Sequence, residues 1–373
     1  MRRRIPTTDR VPSDRRRQAG RIKLAGDAPA SRRLRTAAAA DAALFLEEGV
    51  ALFGHGDLRG AVAAWRRALA HDPALVEAWF DLGNAEDALG DARGAIDAYR
   101  RALALRPDLF EAWNNLGNAY VHVGAHDRAI QAYERALALG EGGYECWFNL
   151  GTAHADREDY DEAVRCFRRA IDREPAAFQA WFNLGFACAA RGDAAGAIVA
   201  YGRAAAIDEA SHEVWYNLGS AQLDLGRVQG ALAAFERAVA LDAADHEAWN
   251  NYGHALVLAE RRDDAVRAFR RALALVPSYD AGWNNLGNVL EAENHLDEAR
   301  EAYANAVALA PERATYRLNL ASVLARGDDP RSAVQHLARA IRLAPEIRSL
   351  LAGFAEFGSL LDDALRHPAG ENR

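Results

Sequence analysis

The sequence of 373 residues contains only three cysteines, one methionine and one lysine, Lys23. The number of cysteines is odd, and no CxxC pair or Cys/His set has zinc-type spacing, which argues against a disulfide framework and a structural zinc site. Cys146, Cys166 and Cys188 are therefore predicted to be buried or chemically indifferent thiols in a reducing compartment.

Long apolar runs are absent too. No stretch of about 18 or more apolar residues occurs, so the sequence predicts no transmembrane segment. The basic N-terminus is not followed by the apolar run of roughly 7–15 residues that a secretory signal requires. Together with the cysteine pattern, these absences predict a cytoplasmic protein.

The motifs of common enzymes are missing as well. There is no HExxH, GxSxG, P-loop or dinucleotide-binding fingerprint. His122, His154 and His254 stand singly, without a nucleophile or a second metal ligand nearby in the sequence. We therefore predict a protein that is not an enzyme, with no catalytic residue, no metal site and no cofactor.

Negative charge outweighs positive charge in the body of the chain, whereas positive charge predominates at its start. The net charge is −8, yet residues 1–36 carry twelve basic and three acidic side chains. Residues 1–41 are predicted to be a basic, disordered tail ahead of an acidic body. Three interpretations of the tail stay open: a leader without function, a weak contact with nucleic acid or anionic lipid, or an internal competitor that folds back onto the acidic body.

The most informative feature of the sequence is a short phrase repeated at one spacing. Tryptophans recur every 34 residues, and fixed self-similarity of this length indicates stacked supersecondary units. We number each repeat from 1 to 34 so that tryptophan is position 4. The tryptophans lie at residues 79, 113, 147, 181, 215, 249 and 283.

The pattern within a repeat predicts two amphipathic helices. Positions 4, 7, 8 and 11 have helical spacing, as do positions 20, 24 and 27. Position 8 is glycine, which costs about 1 kcal/mol relative to alanine inside a helix. We explain it by close approach to the alanine at position 20, for example Gly117 against Ala129. Proline at position 32, as in Pro107, ends the second helix.

This pattern resembles the tetratricopeptide repeat family, whose W-x2-L-G-x2-Y, A-x3-F, A and P signature is matched in nearly every repeat. The resemblance implies an all-α fold: a right-handed α-solenoid of about nine 34-residue helix-turn-helix repeats. They are predicted at 42–75, 76–109, 110–143, 144–177, 178–211, 212–245, 246–279, 280–313 and 314–347. The first and last depart from the signature, with Phe45 and Arg317 in place of tryptophan.

The sequence after Pro345 is similar to the segment that often follows the last repeat in bacterial tetratricopeptide proteins. It implies a C-terminal capping helix and short tail over residues 348–373, because an uncovered apolar end of a solenoid would aggregate. The chain is accordingly predicted to be bacterial.

A row of polar residues at position 6 is the first candidate binding feature. The resemblance implies a concave groove lined by the first helices, and an asparagine amide can pair with both N–H and C=O of an extended peptide. The row resembles the asparagine ladder of the O-GlcNAc transferase repeat region. The alternative is that each asparagine bonds a neighbouring helix. The row consists of Asp81, Asn115, Asn149, Asn183, Asn217, Asn251, Asn285 and Asn319.

Aromatic residues near this row are the second candidate feature. Position 5 holds Phe80, Phe148, Phe182 and Tyr216, and position 9 holds Phe186. They would form an apolar patch for ligand side chains, and packing between repeats is the alternative. Carboxylates at position 2, such as Glu213 and Glu247, would make the groove acidic and favour a neutral or basic partner.

Two functions are consistent with these features. The first is a non-catalytic scaffold that binds an unidentified protein or extended peptide in the groove. The alternative is an adaptor whose basic N-terminal tail binds nucleic acid or an anionic membrane while the solenoid recruits a protein.

Overall fold

The computed structural model describes residues 29–140, 142–327 and 329–347. Secondary structure in these ranges is helical, without strands. The chain divides into two compact units, Met1–Pro107 and Asp108–Arg373, which we describe separately.

Helices α1–α4 belong to the N-terminal unit and α5–α18 to the C-terminal unit. In each described repeat after the first, the first helix spans positions 1–13 and the second spans positions 17–30. The long first element is α1 (Pro29–Gly54). The other first helices are α3 (Val76–Ala88), α5 (Phe110–His122), α7 (Tyr144–Asp156), α9 (Phe178–Ala190), α11 (His212–Asp224), α13 (His246–Leu258), α15 (Asp280–Ala292) and α17 (Ala314–Arg326). The second helices are α2 (Leu58–His71), α4 (Ala92–Leu105), α6 (His126–Leu139), α8 (Tyr160–Arg173), α10 (Ala194–Ile207), α12 (Val228–Leu241), α14 (Arg262–Leu275), α16 (Leu296–Leu309) and α18 (Pro330–Leu343).

Within each unit, every helix packs against the helices before and after it in sequence, which produces a regular array of helix pairs. The predicted all-α repeat fold is therefore confirmed. Helix α1 begins at Pro29, so the prediction of a disordered tail over residues 1–41 is corrected for residues 29–41. Residues 1–28 and the predicted capping helix at 348–373 lie outside the described residues.

A tight turn joins the two helices of a repeat. Its position-15 residue has a positive φ, as at Gly90 (80°) and Gly192 (82°), a conformation that glycine adopts without strain. Glu158, Glu260 and Asn294 take the same conformation in their repeats. In several repeats the next residue is an aspartate that caps the second helix. The carboxylate of Asp193, for instance, accepts a hydrogen bond from the Gly196 N–H at 2.9 Å.

The two helices of a repeat meet where a glycine faces an aromatic ring. A Cβ atom added to Gly117 would lie 2.4 Å from the Tyr133 ring, and one added to Gly185 would lie 2.6 Å from the Tyr201 ring. The prediction that Gly117 closes against Ala129 is thus wrong: the nearest neighbour is the position-24 ring. Both alanine and ring are buried, but the ring is large enough to reach across to the first helix.

Successive repeats are joined by a hydrogen bond from the position-4 tryptophan. Its indole N–H donates to the position-32 carbonyl of the preceding repeat, as from Trp181 to Pro175 at 2.9 Å. Glu209 and Ala243 replace proline at that position, yet their carbonyls accept the same bond, at 3.0 and 3.1 Å. The junction therefore depends on the backbone oxygen rather than on the proline ring.

Candidate binding surface on the first helices

The predicted site residues all lie on first helices and are spread over both units. Phe80 and Asp81 lie on α3 of the N-terminal unit, and the remaining residues lie on α5–α17 of the C-terminal unit. Every member of the position-6 row is half-buried, so part of each polar side chain faces solvent. We call the surface formed by positions 5, 6 and 9 of α5–α17 the first-helix face.

Most asparagines of the row bind the preceding repeat. The amide nitrogen of Asn149 donates to the Asn118 side-chain oxygen at 3.0 Å. The Asn285 amide donates to Asn250 at 2.9 Å. Each acceptor belongs to position 5 or 9 of the repeat before. These side chains therefore link neighbouring first helices.

Three further members of the row also have partners. Asn319 donates to the side-chain oxygen of Asn284 at 2.9 Å. Asn251 donates to the Tyr216 hydroxyl at 3.0 Å. Asn115 accepts a hydrogen bond from the neighbouring Asn114 amide at 3.4 Å. Five of the seven asparagines are thus engaged within the protein.

Asn183 and Asn217 differ from the other five. Within the described residues, no side-chain hydrogen bond is formed by either amide. The reason lies in the preceding repeat. Position 5 is Phe148 in the repeat before Asn183, and positions 5 and 9 are Phe182 and Phe186 in the repeat before Asn217. Phenyl rings occupy the position-5 places from which Asn250 and Asn284 offer an oxygen elsewhere. At position 9, where Asn118 offers one, Phe186 precedes Asn217, and Thr152, whose hydroxyl donates to the Phe148 carbonyl at 3.1 Å, precedes Asn183. Two half-buried amides in the middle of the row therefore keep their hydrogen-bonding capacity.

Phe186 also leaves a hydroxyl group without an acceptor. In other repeats the position-24 tyrosine donates to the asparagine at position 9, as Tyr133 does to Asn118 at 2.7 Å and Tyr303 to Asn288 at 2.8 Å. Tyr201 has Phe186 in that place, and its hydroxyl makes no hydrogen bond among the described residues. Sequence reasoning missed Tyr201, although the exchange of asparagine for phenylalanine at position 9 was the available signal.

Phe186 is the most exposed of the predicted aromatic residues. Its side chain is 51% exposed, and its ring contacts the Tyr160 ring edge-on at a centroid distance of 6.3 Å. An exposed phenylalanine beside unpaired amides provides an apolar contact next to polar groups. This combination suits a peptide ligand, whose main chain can pair with the amides and whose apolar side chains can contact the ring.

The position-5 aromatics are mostly used for packing within their own repeats. Phe148 contacts the Phe167 ring at 5.8 Å, and Phe182 contacts the Tyr201 ring at 5.8 Å. Tyr216 lies 6.1 Å from Phe235. In the N-terminal unit, Phe80 lies 6.1 Å from Tyr99 in the same way. Each of these rings is therefore half-buried, and part of its surface is used by the ring it packs against.

Asp81 is the single acidic member of the position-6 row and lies in the N-terminal unit. Burial, followed by the nearby carboxylate of Glu77, raises the pKa of Asp81. Glu77 itself is held by Arg106, whose guanidinium donates to it at 2.6 Å. Asp81 therefore differs in charge and in surroundings from the asparagines of the C-terminal unit.

The cysteines are buried free thiols. Burial raises the pKa of the Cys146 thiol to about 12 and that of Cys166 to about 11. Burial also raises the pKa of Cys188. Within the described ranges, no group of three or more His, Cys, Asp or Glu side chains is arranged to bind a metal ion. No described helix is both long and apolar enough to cross a bilayer.

Comparison with known proteins agrees with this architecture. Residues 126–352 match the family model described as "Cilia and flagella-associated protein 70 C-terminal domain". Residues 46–110 and 80–144 match the model described as "Tetratricopeptide repeat". The chain is thus a tetratricopeptide repeat protein, and by a match over more than half of its length it belongs to the family of that C-terminal domain. The mention of cilia and flagella describes the proteins for which the model is named. No curated protein matches the chain.

Solved structures similar to the chain are also tetratricopeptide proteins or helical arrays. The C-terminal part of a repeat protein from Cytophaga hutchinsonii is 14% identical, with a TM-score of 0.57, covering 65% of this chain and 99% of that one. YrrB, described as having an unusual peptide-binding site, is 21% identical, with a TM-score of 0.47, covering 53% and 98%. MamA from Desulfovibrio magneticus is 24% identical, with a TM-score of 0.43, covering 45% and 96%. The first of these supports the repeat fold.

Proposed function

We propose that the chain is a protein-binding scaffold that holds an extended polypeptide segment on the first-helix face. The observation that carries this proposal is the pair of unpartnered amides, Asn183 and Asn217, beside the exposed ring of Phe186. A half-buried amide without a partner gains more from a ligand hydrogen bond than an amide that must first break an internal one.

The proposed binding site includes only the two central asparagines of the predicted row, Asn183 and Asn217. Asn149, Asn251, Asn285 and Asn319 already donate to side chains of the preceding repeat. A ligand would have to displace those bonds, with little net gain. Asn183 and Asn217 are one repeat apart and are free to pair with the main chain of a peptide, while Phe186 contacts one of its apolar side chains.

Rigid repeats make this surface suitable for a flexible ligand. The first helices are fixed by buried rings and by bonds between repeats, so the surface is formed before binding. The ligand then loses most of the conformational entropy, which limits affinity but allows release. The predicted cytoplasmic location and bacterial origin are not needed for this function and stay predictions.

Selected peptides provide a test. Peptides that bind the full chain are isolated from a random library displayed on phage, and their dissociation constants are measured by fluorescence anisotropy. Asn183→Ala combined with Asn217→Ala should weaken binding roughly tenfold or more, because two hydrogen bonds of about 1 kcal/mol each are removed. Phe186→Ala should also weaken it.

The matched control is Asn285→Ala combined with Asn319→Ala, on the same face of the same unit. It removes amides that bind α13 and α15, so it should reduce stability while peptide affinity stays within about twofold. Equal affinities for wild type and the Asn183/Asn217 variant would refute the proposed site.

A further inference from the structure

Two hydrogen-bond donors share one acceptor oxygen where the third and fourth repeats meet. The Asn118 side-chain oxygen accepts from the Tyr133 hydroxyl of its own repeat at 2.7 Å. The same oxygen accepts from the Asn149 amide of the next repeat at 3.0 Å. A carboxamide oxygen has two lone pairs and can accept both bonds. The hydroxyl at position 24 and the next amide at position 6 therefore converge on the oxygen at position 9.

The same arrangement recurs where the eighth and ninth repeats meet. The Asn288 oxygen accepts from the Tyr303 hydroxyl at 2.8 Å and from the Asn319 amide at 3.3 Å. In the N-terminal unit, the Tyr99 hydroxyl also donates to the asparagine at position 9 of its own repeat, Asn84, at 2.9 Å. A tyrosine at position 24 is thus accompanied by an asparagine acceptor at position 9 in these three repeats.

In the fifth repeat the acceptor is missing while both donors remain. Phe186 is at position 9, Tyr201 supplies the hydroxyl, and Asn217 supplies the amide of the next repeat. Among residues 29–140, 142–327 and 329–347, neither donor has a hydrogen-bond acceptor. The Tyr201 side chain is only 2% exposed, yet its oxygen is not one of the completely enclosed unpaired polar atoms of those ranges. The hydroxyl therefore ends at the surface of the protein.

The two donors keep the orientation that they have elsewhere, and the phenyl ring does not separate them. The Tyr201 ring packs on the glycine at position 8, where an added Gly185 Cβ would lie 2.6 Å away, as the rings of other repeats do. The Phe186 ring contacts Tyr160 of the preceding repeat at a centroid distance of 6.3 Å. Asn217 belongs to the following repeat. The ring therefore points away from the amide, toward the opposite neighbour.

We propose that the Tyr201 hydroxyl and the Asn217 amide form a two-donor site that binds one main-chain carbonyl oxygen of an extended polypeptide. The ligand oxygen takes the place that the asparagine oxygen at position 9 takes in other repeats. A buried donor without an acceptor costs free energy, and this carbonyl recovers it. The proposal rests on the scaffold function and adds Tyr201 to its site.

Removing the hydroxyl alone tests the site. Tyr201→Phe keeps the ring, and phenylalanine is already present at position 24 in other repeats, for example Phe167 and Phe235. Dissociation constants are measured by fluorescence anisotropy for peptides selected on the full chain. The variant should bind them roughly three- to tenfold more weakly, because one hydrogen bond is lost. Its urea midpoint should not fall, because the free chain loses no internal bond.

The matched control is Tyr133→Phe, whose hydroxyl donates to Asn118. This control should lower the urea midpoint and leave peptide affinity within about twofold of wild type. The two variants thus have opposite effects on stability and on binding. If Tyr201→Phe binds as tightly as wild type while Asn217→Ala binds more weakly, the two-donor site is overturned and the scaffold function stands.

A second experiment tests the geometry without a ligand. Phe186→Asn places an acceptor at position 9, and Phe186→Ala is its reference because it also removes the ring. The asparagine variant should be more stable than the alanine variant, by about fivefold in the equilibrium constant of unfolding. This difference should disappear in chains that also carry Tyr201→Phe combined with Asn217→Ala. A difference that persists in those chains, or one that never exists, would overturn the site.

The same variants connect the geometry to binding. Phe186→Asn should weaken peptide binding more than Phe186→Ala does, because the new oxygen occupies the place of the ligand carbonyl. Replacing each Asn or Gln of a selected peptide by Ala should leave the effect of Tyr201→Phe unchanged. Loss of that effect would assign the oxygen to a ligand side chain and overturn the main-chain contact. A library that yields no binding peptide would refute the scaffold function and the carbonyl ligand together.

Discussion

At the scale of single residues, the glycine at position 8 and the ring at position 24 form one packing pair. Repeats 1–8 all have this pair, from Gly49 and Trp65 to Gly287 and Tyr303. The ninth repeat changes both members together, with Ala321 in place of glycine and Leu337 in place of the ring, and both are fully buried. A methyl group on the first helix is accommodated where the opposite side chain is smaller.

The first prediction tests this pairing. Gly185→Ala should reduce the free energy of unfolding by about 1–3 kcal/mol, because its Cβ would overlap the Tyr201 ring at 2.6 Å. Adding Tyr201→Leu, which copies the ninth repeat, should recover part of that loss. Urea unfolding followed by circular dichroism provides the measurement.

The control lies in the same repeat. Gly202 is a helical glycine whose added Cβ would meet nothing within 4 Å. Gly202→Ala should therefore leave stability unchanged or raise it by up to about 1 kcal/mol. If Gly185→Ala behaves like Gly202→Ala, the glycine at position 8 is not required by the ring.

Sequence reasoning located these residues but did not resolve their contacts. The spacing of Gly117, Ala129 and Tyr133 shows that all three are buried in one helix pair. It does not show which of two buried side chains reaches across, because that depends on the rotation of each helix. For the asparagines, the signal was present in the preceding repeat, where Asn118 or Phe186 decides whether an amide is paired.

At the scale of secondary-structure elements, the joint between repeats depends on one donor and one backbone oxygen. The bounds predicted for repeats 2–9 coincide with the starts of their first helices, and α9, for example, begins at Phe178, position 1 of its repeat. The hydrogen bond from tryptophan to the preceding carbonyl was not predicted, because a periodic pattern carries no information about an acceptor in the backbone. The ninth repeat keeps the bond with a different donor, Arg317 Nε to Pro311 at 2.7 Å.

The second prediction concerns this joint. Trp181→Phe removes the N–H donor to Pro175 and keeps an aromatic ring, so stability should fall by about 0.5–1.5 kcal/mol. Arg317→Trp exchanges one donor for the other and should cost less. Thermal unfolding of the two variants gives the comparison. A larger loss for Arg317→Trp would show that the indole N–H is not the important group.

At the scale of the whole molecule, two half-buried histidines link stability to pH. Burial lowers the pKa of His154, and burial together with Arg317 lowers the pKa of His336. The unfolded chain therefore binds protons at a higher pH than the native chain does. The free energy of unfolding should have its full value above the histidine pKa of the unfolded chain, about 6.5, and should decrease as the pH falls below it.

The third prediction follows from this direction of the pH dependence. The urea midpoint should be lower at about pH 5.5 than at about pH 7.5. His336→Ala should reduce the difference between the two midpoints. Alanine is a suitable replacement because His336 is at position 23, which is alanine in most other repeats, for example Ala302 and Ala268. An unchanged pH dependence in His336→Ala would assign the effect to other groups.

The hydrogen bonds that tryptophan and asparagine side chains donate between repeats have a common direction. Trp181 and Asn285 both donate backward, to Pro175 and Asn250 in the repeat before. A ribosome makes the protein from its N-terminus, and folding can begin during synthesis. Each first helix that leaves the exit tunnel thus meets acceptors that have already been translated, so the array can grow one repeat at a time behind the ribosome.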